Sequence, residues 1–284
     1  MNIENIKLWT ALVTPLTPGL KIDFKSLALL LKEQEAAGNG VLILGSTGEA
    51  LNLDHEMRKA IVEFSLDQKL KVPLMVGVGA HNLLDQISWL KWLNKKEISA
   101  YLMSTPIYAK PGDMGQYEWF KTLMDLSKKP VMLYNVPGRA GADLSLVAVS
   151  LLKDHKNFYA IKEASGSVSK MQGYLRACDN KLVYCGDDAL MDDFARAGAC
   201  GLVSVASNTW PLATHSYVEK CLENNLKDKE LWQWATNSLF LASNPTPAKA
   251  LLALEKRISH DTMMPPLSRR DLICLLYTSP SPRD

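Results

Sequence analysis

At 284 residues the chain is long enough for one large domain or two small ones, and its 32 basic against 30 acidic side chains leave almost no charge excess. Nucleic-acid binding, which calls for a basic stripe, is not expected, and no apolar run reaches the roughly 20 residues that span a bilayer. Five cysteines without a C-x-x-C pair and five scattered histidines without H-E-x-x-H argue against a disulfide framework and a zinc site.

Taken in chain order, Met1–Lys7 carries charge, but Thr14, Pro15 and Pro18 interrupt the apolar residues after it, so no signal-peptide core follows. A cytoplasmic protein is expected. Short β-rich runs then alternate with amphipathic stretches. The strands are predicted at Trp9–Thr14, Val41–Leu44, Leu74–Val78, Ala100–Ser104, Val131–Asn135, Tyr159–Glu163, Leu182–Cys185 and Leu202–Val205. Most are continuously apolar, as parallel strands covered on both faces are. Between them Phe24, Leu27, Ala28 and Leu31 recur at helical spacing, as do Met57, Ala60, Ile61 and Phe64, and later Met191, Phe194, Ala195 and Gly198. Asp54 stands where an N-cap belongs.

Eight such units in about 200 residues fit a closed (β/α)8 TIM barrel better than an open sheet. No G-x-G-x-x-G follows the first strand, which removes the usual dinucleotide fold. Helices predicted around Pro211–Asn224, Lys229–Ala242 and Pro247–Ile258 form a C-terminal helical extension. The expected division is a catalytic barrel over residues 1–207, a helical region packed on it over 208–272, and a tail over 273–284. The tail changes character abruptly and ends Ser-Pro-Ser-Pro-Arg-Asp, which cannot continue a helix. It reads as a sequencing or cloning remnant, with the true C-terminal helix missing. An in-frame match to the source DNA would refute that.

In a barrel of this kind the reactive groups gather at the C-terminal ends of the strands. There the sequence places Gly45-Ser46-Thr47-Gly48-Glu49, Thr105-Pro106-Ile107-Tyr108, Tyr134-Asn135-Val136-Pro137-Gly138-Arg139, Lys162-Glu163 and Gly186-Asp187-Asp188. Lys162 falls on the same side of its strand as Phe158 and Ala160, which in a closed barrel can be the interior. Burial disfavours a lysine's charged form, and the free amine is the nucleophile that attacks a ketone. Read alone, such a lysine more often snorkels to solvent or pairs with a carboxylate. The 45–48 loop offers N–H and O–H donors that can wrap a small carboxylate, although Gly-Ser-Thr turns commonly occur for turn reasons only. Tyr134 and Tyr108 are proton carriers or plain strand-end aromatics, and Arg139 is a fork for a second carboxylate or a solvated loop charge.

Together, GSTGE, TPIYAKP, YNVPGRAG and AIKEASG, in this order and spacing, resemble the dihydrodipicolinate synthase / N-acetylneuraminate lyase family over about Leu8 to Arg270. The resemblance implies a TIM barrel and a class I (Schiff-base) aldolase-type lyase that uses neither metal nor organic cofactor. It also implies Lys162 as the Schiff-base residue and a hydroxyl relay of Ser46, Tyr134 and Tyr108, with Tyr108 reaching in from a neighbouring subunit. Thr47, Gly48, Gly186 and Val203 are implied on the substrates, Thr47 on the carboxylate of pyruvate. Arg139, two residues after the proline, favours the synthase branch, in which it holds aspartate semialdehyde and the product leads to lysine and diaminopimelate. Ser46 stands where synthases more often have threonine, and Ile107 replaces a frequent aromatic. The alternatives are a sialic-acid or keto-deoxy-sugar-acid lyase of the same family, or a non-catalytic keto-acid-binding barrel. The family commonly assembles as a homotetramer, a dimer of dimers.

Overall fold

Strands apolar on both faces need cover on both faces, and here they obtain it by closing on themselves. In the computed structural model, which describes residues 3–179, 181–226 and 229–272, the strands are β1 (Leu8–Ala11), β2 (Gly40–Ile43), β3 (Leu74–Val78), β4 (Ala100–Ser104), β5 (Val131–Asn135), β6 (Phe158–Glu163), β7 (Leu182–Cys185) and β8 (Gly201–Ser204). They pair in parallel in sequence order, and β1 pairs with β8, so the predicted (β/α)8 barrel is closed. Trp9, Leu42, Met75, Leu102, Met132 and Tyr184 fill its interior, while Val41, Val76, Leu133, Ile161 and Val183 point outward under the helices. Alternate residues thus serve two separate apolar layers.

The helices are α1 (Phe24–Ala36), α2 (His55–Asp67), α3 (Leu83–Leu93), α4 (Asp113–Leu126), α5 (Pro137–Ala140), α6 (Leu146–Leu152), α7 (Val168–Ala177), α8 (Met191–Arg196), α9 (Pro211–Leu222), α10 (Lys229–Ser238) and α11 (Thr246–Leu254). Asp54 caps α2 as expected, its carboxylate accepting the Met57 N–H at 2.7 Å. After β8 the chain returns to the barrel: Trp232 Nε1 on α10 donates to Asp188 O at 3.0 Å, just past β7. Arg257 lies beyond α11; its guanidinium pairs with Glu33 on α1 and donates to the Asn208 and Thr209 carbonyls. No helix among the described residues is long and apolar enough to cross a membrane.

Several predicted boundaries move. The first strand ends at Ala11 rather than Thr14, because beyond it Val13 N donates to the Asn208 side chain and Thr14 Oγ1 to Gly48 O instead of continuing the ladder. The helix from Met191 stops at Arg196, short of Gly198, whose φ of 106° no right-handed helix contains. The run from Lys229 stops at Ser238. Phe158 is not on the side of Ala160 and Lys162. The β5–β6 register shifts at Val131/Met132, so Tyr159 and Ala160 both join the interior while Phe158 packs outside. A bulge of this kind resets the two-residue alternation that strand reading assumes. The tail assigned to 273–284 lies outside the described residues.

Candidate active site

Lys162, Tyr134 and Ser104 are neighbours in register across β6, β5 and β4, one residue from or at the C-terminal end of each strand. Lys162 is 5% exposed, and its Nζ sits 4.4 Å from the centroid of the Tyr134 ring. No carboxylate among the described residues pairs with it, so this buried amine is held by an aromatic face alone. Gly186, after β7, is the near wall: a Cβ there would lie 2.6 Å from Ala164 Cβ and 3.0 Å from Lys162 Cε. A larger residue at 186 would displace the amine. Val203 on β8 is buried on the same interior face as Tyr134.

A cavity of about 360 Å³ opens over these strand ends, lined by Gly45, Ser46, Ser104, Ile107, Tyr134 and Arg139. A larger one, about 560 Å³, lies at the opposite, N-terminal end of the barrel among Ile3, Pro130, Lys156, Tyr159 and Leu182. The smaller cavity is the candidate site because Ser46, Tyr134 and Arg139 line it and Lys162 packs behind the Tyr134 ring; volume alone does not place chemistry.

The 45–49 loop is shaped by close approach. A Cβ on Gly48 would stand 3.1 Å from Leu12 O and from Leu44 N, and Thr14 Oγ1 donates to Gly48 O at 2.7 Å. Glu49 follows in a left-handed conformation, φ 57°, which costs a non-glycine residue about 1–3 kcal/mol and needs anchoring. Its carboxylate provides the anchor. Lys249 Nζ reaches Oε1 at 2.7 Å with both side chains fully buried, and Met264 N donates to Oε2 at 2.7 Å. Thr47, 2% exposed, is not part of the cavity wall; its Oγ1 accepts from Asn244 Nδ2 at 2.9 Å. Arg139 Nη2 donates to the Asn244 carbonyl at 3.2 Å. Tyr108 is the outlier: 92% exposed, with φ 69°, its ring is turned away from its own barrel.

On the outer face Asn135 Nδ2 donates to Glu163 Oε2 at 2.6 Å, tying together the residues that follow Tyr134 and Lys162. Asp188 straps β7 to β8, accepting Ser204 Oγ at 2.5 Å, Val205 N at 2.9 Å and Ala206 N at 3.2 Å. Burial outweighs these donors and pushes its carboxyl up to about 6 from the usual 3.8. Asp187 beside it is raised too, by burial. With the folded value of Asp188 above the unfolded one, the native state binds the extra proton between 3.8 and about 6. Its contribution to stability is therefore fully present below that window and is lost as pH rises through it. Wild type minus Asp188→Asn, measured by denaturant unfolding, is expected to fall by up to about 3 kcal/mol between pH 4 and pH 7. A flat difference would mean that the carboxyl titrates normally.

Among the candidates, the structure brings together Ser46, Tyr134, Arg139, Lys162 and Gly186, sets Thr47 and Gly48 in the loop beside them, and places Val203 in the barrel interior. It does not bring Tyr108 in. Sequence reading missed Asn244, Lys249 and the Glu49 anchor. The only available signal was Asn244 standing in Ser-Asn-Pro-Thr-Pro, which marks a break between helices and nothing more.

The model of the dihydrodipicolinate synthetase family matches residues 5–272. A 4-hydroxy-tetrahydrodipicolinate synthase of Wolbachia pipientis wMel is 47% identical over 266 residues, covering 93% of this chain and 91% of the relative. One of Francisella philomiragia is 43% identical over 275 residues, covering 96% and 93%. Among solved structures, the synthase of Methylacidiphilum fumariolicum SolV superimposes with a TM-score of 0.88 at 29% identity, covering 96% of this chain and 94% of that one. A chloride-inhibited synthase of Acinetobacter baumannii, complexed with pyruvate, gives a TM-score of 0.86 at 29% identity and 96% and 97% coverage.

Proposed function

This chain belongs to the dihydrodipicolinate synthetase family, and from that premise we propose that it condenses pyruvate with aspartate semialdehyde to 4-hydroxy-tetrahydrodipicolinate through a Schiff base on Lys162. The observation that carries the reading is the amine itself: buried, without a carboxylate partner among the described residues, and set against the Tyr134 ring under a cavity edged by Ser46 and Arg139. A lysine kept for structure would have a counter-ion or solvent.

Lys162 Nζ, as the free amine, adds to the pyruvate ketone, and loss of water leaves an imine. Protonated, the imine withdraws electrons, so a methyl proton leaves and an enamine forms. The enamine carbon attacks the aldehyde, whose oxygen takes up a proton and becomes the hydroxyl. The semialdehyde's amine then adds to the imine carbon and expels Lys162, closing the ring and restoring the enzyme. Tyr134, in contact with Lys162, is the proton carrier, with Ser46 next in the relay. Thr47 and the Gly48 loop hold the pyruvate carboxylate, Arg139 that of the semialdehyde, and Gly186 and Val203 shape the pocket around them.

Tyr108 completes the relay only in a neighbouring copy, which accounts for a tyrosine held outward in a strained backbone conformation. A homotetramer built as a dimer of dimers, working in the cytoplasm, fits this role. A monomeric synthase variant is known among the structural relatives, so assembly is a property to measure for this chain. Sedimentation should give a species larger than a monomer, and a fully active monomer would remove Tyr108 from the mechanism.

The decisive assay supplies pyruvate with aspartate semialdehyde and, separately, with sugar aldehydes. Turnover with the semialdehyde at least about 100-fold faster is expected, because Arg139 can pair with the carboxylate that only this acceptor presents. Preference for the sugar aldehydes would make the protein a lyase of the same family, and no turnover or trapping with any acceptor would leave a keto-acid-binding barrel.

A further inference from the structure

We propose that Asn244 is a positioning residue that fixes the direction in which the Thr47 hydroxyl donates, and thereby the grip of the site on a substrate carboxylate. The proposal rests on the reading of Thr47 as the holder of pyruvate and adds to it the residue through which Thr47 acts.

Asn244 lies in the segment between α10 and α11 and is nearly fully buried. Its Nδ2 donates to Thr47 Oγ1 at 2.9 Å. A hydroxyl carries one proton and two lone pairs, so an oxygen that accepts from an amide must direct its own proton elsewhere. Among the described residues nothing accepts that proton, and Thr47 is itself closed to solvent. The result is a buried O–H donor without an acceptor, one residue from the cavity-lining Ser46; on the reading of Thr47 as the pyruvate holder, the incoming carboxylate supplies that acceptor.

The other atoms of Asn244 bear on the same point. Its carbonyl oxygen accepts from Arg139 Nη2 at 3.2 Å, so one residue anchors the groups assigned to both substrates' carboxylates. Its side-chain Oδ1 is buried with no partner. Leaving a buried carbonyl bare is unfavourable, and here it accompanies an amide whose N–H is committed to Thr47. The Glu49–Lys249 pair fixes the loop's backbone, whereas Asn244 sets the polarity of its hydroxyl.

Asn244→Asp keeps the shape and reverses the bond. The carboxylate accepts the Thr47 proton and places negative charge beside the substrate's own. The readout is cyanoborohydride trapping on Lys162, followed by mass, with pyruvate and with its uncharged methyl ester. In Asn244→Asp the pyruvate concentration for half-maximal trapping is expected to rise on the order of 10- to 100-fold, and in Asn244→Ala about 10-fold. The ester should change by less than about 3-fold in both, a split that general damage to the fold does not produce. Thr47→Val should show the same loss of preference for pyruvate, and Asn244→Ala added to it should have no further effect. Equal losses on acid and ester, an unchanged response to pyruvate, or a Thr47→Val variant that keeps its preference would each overturn the proposal. Should Asn244→Asp not fold, Asn244→Ala and Asn244→Ser, which also lose the Nδ2 donor, carry the same acid-against-ester comparison. A wild type that traps neither compound refutes the Schiff-base reading instead, so the two failures are distinct.

Discussion

Replacing Lys162 with alanine is expected to lower kcat/KM for the condensation by more than about 10,000-fold while leaving the barrel folded. Removing the nucleophile abolishes the covalent route, and the remaining pocket can only hold the two substrates near one another. Stability should change little for a buried residue, because the Nζ makes no ion pair among the described residues and meets only the Tyr134 ring. Lys162→Arg should be equally inactive, since a guanidinium can pack over the ring but does not form an imine. Reduction with borohydride in the presence of pyruvate should add mass to the wild type at the peptide carrying Lys162 and to neither variant. Retention of even one part in a hundred of the activity by Lys162→Ala would place the Schiff base elsewhere.

The second large effect is on stability. Lys249→Met leaves the Glu49 carboxylate fully buried with the Met264 N–H and without its cation, a loss of about 3–5 kcal/mol by the usual cost of stranding one member of a buried pair. For a domain of this size the midpoint of thermal unfolding should drop by roughly 10 °C. The pair is itself expensive: burial pushes the Lys249 ammonium below the ordinary lysine range even with Glu49 opposite. Combining Lys249→Met with Glu49→Gln should therefore recover much of the loss. Function should not recover with it. Glu49 is held in a left-handed conformation directly after Thr47 and Gly48, and with its anchor weakened the loop is expected to bind pyruvate more weakly. A single variant as stable as the wild type by calorimetry would show that the pair contributes nothing net.

The barrel was legible in sequence because burial on both faces leaves its mark on every strand. Leu74–Val78, Ala100–Ser104, Val131–Asn135 and Leu182–Cys185 are bounded as predicted. The candidate lysine was legible only in company. Alone, Lys162 reads as a strand-end cation; with the 45–49 loop, Tyr134 and Arg139 at neighbouring strand ends, it becomes the centre of a site. The phase of β6 was not legible, because the bulge opposite Val131/Met132 arises from pairing between strands and has no local signature.

Asn244 and Lys249 were hidden for a related reason. Each is about 200 residues from its partner in the 45–49 loop, and no pattern within a segment reports a contact across that separation. The sequence by itself determined the fold class and the family, and it pointed to Lys162 and to the rim where it lies, because periodicity and motif order are local properties. Tertiary structure alone decided which side chains aim that chemistry. It put Tyr134 under the amine, Gly186 against its stem, Asn244 on Thr47 and Lys249 beneath Glu49, because a closed barrel with helices folded back on it is what brings distant polar groups into one water-poor place, where each must find a partner or wait for a substrate.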